Sequence, residues 1–335
     1  MGFWIWEFGE ENPSLTPNPQ LPNPNPQFAV SSVLPIVSTN RYAERVRLHP
    51  RFATLLEAHG LTDAESLFAT KRGVALRRLA ARENWRLELA DGQEGTTTLY
   101  LKKHCERSWS TRLRRWLGLP LPTTPARREA ERTAELAHLG IPTMTVAAFA
   151  ERLRPDGTLI GAFLTEELVG FQQLDLFLTA RFARRDDPKL RELLRGCAEL
   201  AGRFHGAGFN HRDFYTCHFF IRENNPAEFH AFAIHLIDLQ RVQHWPRGLR
   251  RRWVVKDLAQ LAYSTPRTLI GPAERMRFFK AYLQIARLDG PARRLARAIC
   301  RRESALRRKH GSYRPEWEQV SFSVVHSPSQ LPEAA

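Results

Sequence analysis

Apolar positions recur with two different periods along the chain. From about residue 60 to 104 the pattern is strand-like. Trp85-Arg86-Leu87-Glu88-Leu89 alternates apolar with charged, Asp91-Gly92 signals a turn, and 96–103 is rich in β-forming residues. Thr124 as N-cap, Pro125 at the first helical position and Gly140 ahead of Pro142 predict a helix over 125–139. Two further strands, 146–153 and 159–168, are joined by the turn residues Pro155-Asp156-Gly157. Over 188–205 the period becomes helical, with Leu190, Leu193, Leu194, Cys197, Ala201 and Phe204 on one face and Gly206 and Gly208 as stops. Two short apolar runs, 219–221 and 229–238, flank Asn224-Asn225-Pro226, and 247–312 reads as helical. Strands with one helix, then a mostly helical half opened by a small hairpin, is the α+β order of a two-lobed fold with a cleft.

The length of 335 residues and the 43% of apolar residues are enough for a sizeable core and exclude a wholly disordered chain. Asn-Pro repeats over residues 8–40 disfavour helix and remove backbone donors, so 1–40 is expected to be a disordered leader and 313–335 a flexible tail. That leaves 41–165 for the first lobe and 166–312 for the second. No stretch reaches the roughly 18 apolar residues of a membrane span. Met1-Gly2-Phe3-Trp4-Ile5-Trp6-Glu7 lacks a basic n-region, and the four cysteines are widely spaced, so a cytoplasmic location is expected.

Four features follow one another in an order that suits phosphoryl transfer. A lysine ends a strand (Lys102 or Lys103), Glu129 lies on the next helix, His211-Arg212-Asp213 follows a glycine turn, and Asp238 closes the apolar run Ile237-Asp238-Leu239. A strand lysine held by a helix glutamate can bridge the α- and β-phosphates of ATP. A loop aspartate can take the proton of an attacking hydroxyl, and an aspartate at a strand end can ligate Mg²⁺. Strand parity puts Lys102 and Lys103 on opposite faces and cannot choose between them. Glu129 shares a face with Thr133 and Leu136, so it is expected to point inward. A metal cluster of His205, His211, His218 and Asp213 is the competing arrangement, but it leaves Lys102 and Asp238 idle.

The stretch His211-Arg212-Asp213-Phe214-Tyr215-Thr216-Cys217-His218-Phe219 resembles the catalytic loop of the lipopolysaccharide core heptose kinases, within the lipopolysaccharide kinase family of protein-kinase-like fold. Tyr100-Leu101-Lys102-Lys103-His104, Thr165-Glu166-Glu167-Leu168, Ile237-Asp238-Leu239 and Val255-Lys256-Asp257-Leu258 match in family order. The resemblance implies a bilobal α+β kinase that uses ATP and Mg²⁺ to phosphorylate a sugar hydroxyl, heptose of the inner core. It selects Lys102 as the phosphate lysine braced by Glu129. It makes Asp213 the base and Arg212 its support, and puts Glu166, Glu167 and Leu168 at the adenine through their backbone. Asp238 falls at the metal, with His218 where protein kinases have a second-metal asparagine. The alternatives are another acceptor, protein or small molecule, or an inactive nucleotide-binding scaffold. A glycine-rich phosphate loop is missing; Lys71-Arg72-Gly73 is the nearest candidate, and Arg77 or Arg78 could clamp phosphates instead.

Fifty basic against 35 acidic residues give a net charge of +15, which points to an anionic partner. Arg293, Arg294, Arg297, Arg301, Arg302, Arg307, Arg308 and Lys309 crowd one helical segment in which only Glu303 is acidic. A solvated face is the plain reading. With a lipid-linked saccharide as acceptor, an anionic membrane surface is the expected partner, where each cation contributes about 1 kcal/mol. No nucleic-acid recognition module appears, and none is expected.

Overall fold

The computed structural model describes residues 44–92, 95–107, 113–114, 116–117, 123–225 and 231–313, so the expected leader and nearly all of the expected tail lie outside the described residues. The first half runs β1 (Glu44–Leu48), α1 (Pro50–Ala58), α2 (Ala64–Ala69), β2 (Val74–Leu79), β3 (Arg82–Ala90), β4 (Thr96–Arg107), α3 (Pro125–His138), β5 (Val146–Leu153) and β6 (Thr158–Glu166). Two expectations are corrected here. Strand was expected from about residue 60, yet 64–69 is helical, because Asp63 and Ser66 form a reciprocal cap that satisfies the free backbone donors of the first turn. With α1 also present, this half carries more helices among the described residues than the one expected.

The six strands form one antiparallel sheet in the order β1-β5-β6-β4-β3-β2. β6 is central and almost wholly buried because both of its faces are covered. Ile160, Ala162 and Leu164 join Leu99 and Leu101 under Phe52, Leu56 and Leu67 of the two short helices. Phe163 points the other way, toward Ala126 and Leu136 of α3. β4 lies beside β6, with Lys102 opposite Phe163 and Lys103 opposite Ala162. The two-residue period therefore sends the two lysines to opposite sides of the sheet.

Gly73, the nearest candidate for a phosphate loop, instead serves the turn into β2. Its φ is +86°, and a Cβ there would lie 2.1 Å from the backbone oxygen of Arg86. Gly73→Ala is expected to destabilise the protein by more than about 1 kcal/mol, since both the conformation and the space demand glycine. An unchanged urea midpoint would contradict this.

The second half contains β7 (Gln172–Gln173), α4 (Leu174–Arg181), α5 (Pro188–Gly206), β8 (Phe209–Asn210), β9 (Phe219–Glu223), β10 (Phe232–Leu236), β11 (Gln243–His244), α6 (Arg247–Ser264), α7 (Pro272–Leu283) and α8 (Gly290–His310). The apolar stripe expected on α5 is its buried face. At its end Phe204 packs against Phe209 and Phe214, with ring centroids 5.9 and 6.0 Å apart, and Phe214 meets Phe219 at 4.9 Å. These rings floor the 211–219 loop, so this segment rests on an apolar base. β9 and β10 form the expected hairpin.

On α8, Glu303 does not face the exposed arginines. It is buried and accepts from Arg307 at 2.6 Å, Arg267 at 3.3 Å and Arg275 at 3.4 Å. Arg307 is thereby folded inward, while Arg294, Arg297, Arg301, Arg302, Arg308 and Lys309 remain exposed on one arc of the helix.

Candidate active site

The site forms where one face of the sheet meets the loop that follows α5. Lys102 extends from β4 on the Phe163 side, beneath α3, where Ala126, Glu129, Thr133 and Leu136 are the buried stripe. Its Nζ donates to Glu129 Oε1 at 2.6 Å and to Asp238 Oδ1 at 2.9 Å. Burial acts against a charged Lys102, but the Asp238 and Glu129 carboxylates outweigh it and hold its pKa above the ordinary lysine value. Burial raises Glu129, opposed by Lys102. Burial also works against the Asp238 anion, but Lys102 and His218 prevail and its pKa falls far below the carboxylate range. Arg132, one turn along the helix from Glu129, pairs with Glu135.

Lys103 is only 3% exposed and turns to the opposite face, where its Nζ donates to the carbonyl of Thr70 and lies 4.6 Å from the Trp85 ring centroid. Parity left two lysines open. The side of the sheet that carries α3 brings Lys102, the one the resemblance selected, to Glu129 and Asp238.

The loop itself is pinned from α6 by three side chains spaced i, i+3 and i+7. Asp257 accepts from the backbone N–H of His211 at 2.7 Å and of Arg212 at 3.0 Å. Gln260 accepts from Phe214 N at 3.2 Å, and Ser264 Oγ from Thr216 N at 2.9 Å. Asn210 and His205 also reach Asp257, each at 3.4 Å. Lys256 Nζ caps the Arg212 carbonyl. These bonds hold Arg212 at φ 71° and, across the loop, Asp238 sits at φ 58°, both in the left-handed region that non-glycine residues seldom occupy. Asp257, Gln260 and Ser264 had no role assigned from sequence. The available signal was polar residues at helical spacing within the more apolar stretch 253–264 of that helix.

Asp213 carries its carboxylate toward the cleft, where Arg241 NH1 donates to both oxygens, at 2.8 and 2.7 Å. His218 Nδ1 donates to the Asp213 carbonyl at 2.6 Å, and its Nε2 lies 3.7 Å from Asp238 Oδ2. The His218 ring therefore links the two aspartates. Arg212 turns its guanidinium onto the Trp253 ring, 5.1 Å from the centroid. The segment expected at adenine uses part of its backbone internally: Glu166 N bonds Thr145 O at 2.9 Å and Glu167 N bonds Thr98 O at 3.1 Å. The Glu166 carboxylate takes Arg51, and that of Glu167 takes the Tyr100 hydroxyl at 3.2 Å. Of the arginines considered for phosphate, Arg78 stacks on Trp85 at 4.7 Å. Arg82, which sequence reading passed over, acts electrostatically on Lys102, Glu129 and Asp238. No group of three or more potential metal ligands occurs among the described residues, so the His205, His211, His218 and Asp213 cluster does not form.

Two buried histidines set a pH dependence of stability. Burial, aided by Arg82 and Lys102, pushes His104 down to about 4. Burial, aided by His218, does the same to His211, whose Nε2–H donates to the Ile237 carbonyl. Between about pH 6.5 and 4 the unfolded chain therefore binds more protons than the folded one, and stability falls as pH drops. His218 has the opposite sign. Burial opposes its charge, but Cys217, Asp238 and the Asp213 carbonyl raise it to about 9, so its contribution is complete below about 6.5 and lost as pH rises through 9. Urea midpoints are expected to peak near neutral pH, and His104→Gln should flatten the acid side. An acid limb as steep in that variant as in the parent would contradict the assignment.

A strand lysine tied to a helix glutamate and a strand-end aspartate, beside an aspartate on a loop after a helix, defines a phosphotransferase of protein-kinase-like fold. A model of the "Lipopolysaccharide kinase (Kdo/WaaP) family" matches residues 68–282, and the chain belongs to that family. Among its relatives is the "Lipopolysaccharide core heptose(I) kinase WaaP" of Pseudomonas aeruginosa, 31% identical over 70% of this chain and 82% of the relative. The protein of that name from Escherichia coli is 29% identical over 71% of this chain and 86% of the relative. A solved structure, "WaaP in complex with acyl carrier protein", superposes with a TM-score of 0.57 at 29% identity, covering 79% of this chain and 97% of that one. Like its family, the chain is an ATP-dependent kinase acting on a sugar hydroxyl of the lipopolysaccharide core. No helix among the described residues is long and apolar enough to cross a membrane.

Proposed function

We propose that this chain transfers the γ-phosphoryl group of ATP to a heptose hydroxyl of the lipopolysaccharide inner core. The observation that carries the reading is the convergence of Lys102, Glu129 and Asp238 within hydrogen-bond reach at the mouth of the Asp213 loop. In it, Lys102 holds the α- and β-phosphates and Glu129 fixes the lysine's direction. Arg82 adds positive charge to the same wall. The Leu168 N–H and the carbonyls of 166–168 receive the adenine edge, since the N–H groups of Glu166 and Glu167 are taken.

Asp238 suits Mg²⁺: it is an ionised oxygen donor, and Mg²⁺ is commonly held by one or two carboxylates with substrate phosphates completing its shell. An ion held by Asp238 would supply positive charge to neutralise the transferring phosphoryl group. His218 was expected among the metal residues. With Nδ1 committed to the Asp213 carbonyl and its pKa raised, it reads better as a fixed cation beside Asp238 than as a ligand. Asp213 takes the proton of the sugar hydroxyl as its oxygen bonds to the γ-phosphorus and the bond to the β–γ bridging oxygen breaks, releasing ADP. Arg212 keeps the loop in place through its backbone and its stacking on Trp253.

The acceptor is lipid-linked, and two exposed features support peripheral docking at the cytosolic face of an anionic membrane. One is the arc of six cations on α8. The other is Trp116, 81% exposed, with Leu113 and Leu117 also exposed, an aromatic and aliphatic set suited to the interface. The test is label transfer from γ-labelled ATP to dephosphorylated core glycolipid. Label in the heptose supports the reading. Label only in another acceptor moves the specificity elsewhere, and ATP binding without transfer marks a nucleotide-binding scaffold.

A further inference from the structure

Arg241 holds the group that must receive the acceptor's proton. Its NH1 is almost equidistant from the two Asp213 oxygens, at 2.8 and 2.7 Å, so it lies across the open end of the carboxylate. A general base has to come within roughly 2.6–3.2 Å of the hydroxyl it deprotonates, and that approach is occupied. Arg241 ends the short turn Leu239–Arg241 that begins at Asp238, so its backbone is anchored beside the phosphate end of the site. Its side chain is 49% exposed and engages Asp213 through one nitrogen only. An ion pair this open is weak, and the remaining guanidinium nitrogens can fork onto a carboxylate or phosphate. Lys256 adds further positive charge beside Asp213. A neutral sugar gives Arg241 nothing to move to. A sugar bearing an anionic group next to its hydroxyl does.

We propose that Arg241 masks Asp213 until an anionic group on the acceptor draws it away, so that the site selects a hydroxyl neighboured by a carboxylate or phosphate. This rests on the saccharide-kinase reading and adds its acceptor chemistry. The unmasked carboxylate then receives the hydroxyl, while the acceptor's anion stays clamped by the arginine. Substrate binding and exposure of the base become one event, which also limits transfer to water.

The test uses the full chain with Mg·ATP, comparing wild type with Arg241→Gln and Arg241→Lys, each first checked for unchanged melting and ATP affinity. Two readings are taken: ADP release without acceptor, and transfer to core glycolipid. The glycolipid is used intact, with its carboxylates reduced, and with its phosphate monoesters removed. Arg241→Gln is expected to raise acceptor-independent hydrolysis several-fold and to raise KM for the intact acceptor about tenfold, a loss of uniform binding. Arg241→Lys should keep part of the affinity. The modification that weakens wild type but leaves Arg241→Gln unaffected identifies the anion, by the logic of a double-mutant cycle. Equal responses of wild type and variant to both modifications, or unchanged hydrolysis, overturn the proposal. Should no glycolipid be phosphorylated by wild type, the saccharide reading fails, and the hydrolysis comparison alone still decides whether Arg241 masks the base.

Discussion

Asp213→Ala is expected to lower kcat for glycolipid phosphorylation by about 10²–10⁴-fold, the usual contribution of a positioned general base. Affinity for ATP should stay near that of wild type, because in the proposed mode the phosphates face Lys102 and a metal ion at Asp238, not Asp213. The carboxylate is not part of the loop's internal scaffold. It pairs with the half-exposed Arg241, whereas the loop is held through the carbonyl of Asp213 and through α6. The variant should therefore fold normally, and its defect should lie in the chemical step. Single-turnover transfer with labelled ATP, beside equilibrium ATP binding, checks this. A rate within a few-fold of wild type would remove Asp213 from the chemistry. A collapse of ATP binding would make its role structural.

The second large effect is at Asp257, whose carboxylate is committed to the backbone of the 211–212 segment. Its carboxylate is fully buried and ionised. Burial disfavours the charge, but His205, His211 and the loop's N–H groups outweigh that and keep its pKa below the ordinary value. Asp257→Ala leaves the N–H groups of His211 and Arg212 without an acceptor, and removing one side of such a buried network costs about 3–5 kcal/mol. Arg212 would also lose the bond that steadies its left-handed backbone. The expected result is a large drop in the urea midpoint. At temperatures where the variant stays folded, kcat should fall with little change in KM for ATP. Asp257→Asn, which keeps one acceptor oxygen, should recover part of both losses. A stable, fully active alanine variant would show that the loop needs no such anchor.

Much of the arrangement was already legible in the residues. The strand alternation around Trp85, the caps of the 125–138 helix, the stripe of the 188–206 helix and the hairpin after the loop are local signals. They depend on side-chain period and turn chemistry within a few residues, and they appear where expected. The 64–69 helix was missed because a six-residue helix shows too little periodicity, and its evidence was a cap rather than a pattern.

What the chain by itself determined was the set of chemistry-bearing residues and their order. Lysine, glutamate, the His-Arg-Asp loop and the strand-end aspartate are covalent facts, and their spacing limits the folds that can join them. Parity alone could not choose between Lys102 and Lys103, and it was the family resemblance that picked Lys102; only the tertiary structure supplies the physical reason. Parity says that they oppose each other, but the choice depends on which face α3 covers, and that is fixed by packing of Phe163, Ala126 and Leu136. Assembly likewise gave Asp257, Gln260 and Ser264 their work, since they act on backbone groups more than 40 residues away. It also set Arg241 against Asp213, 28 positions apart. Contacts at such separations depend on how the elements pack, which no local pattern of residues encodes.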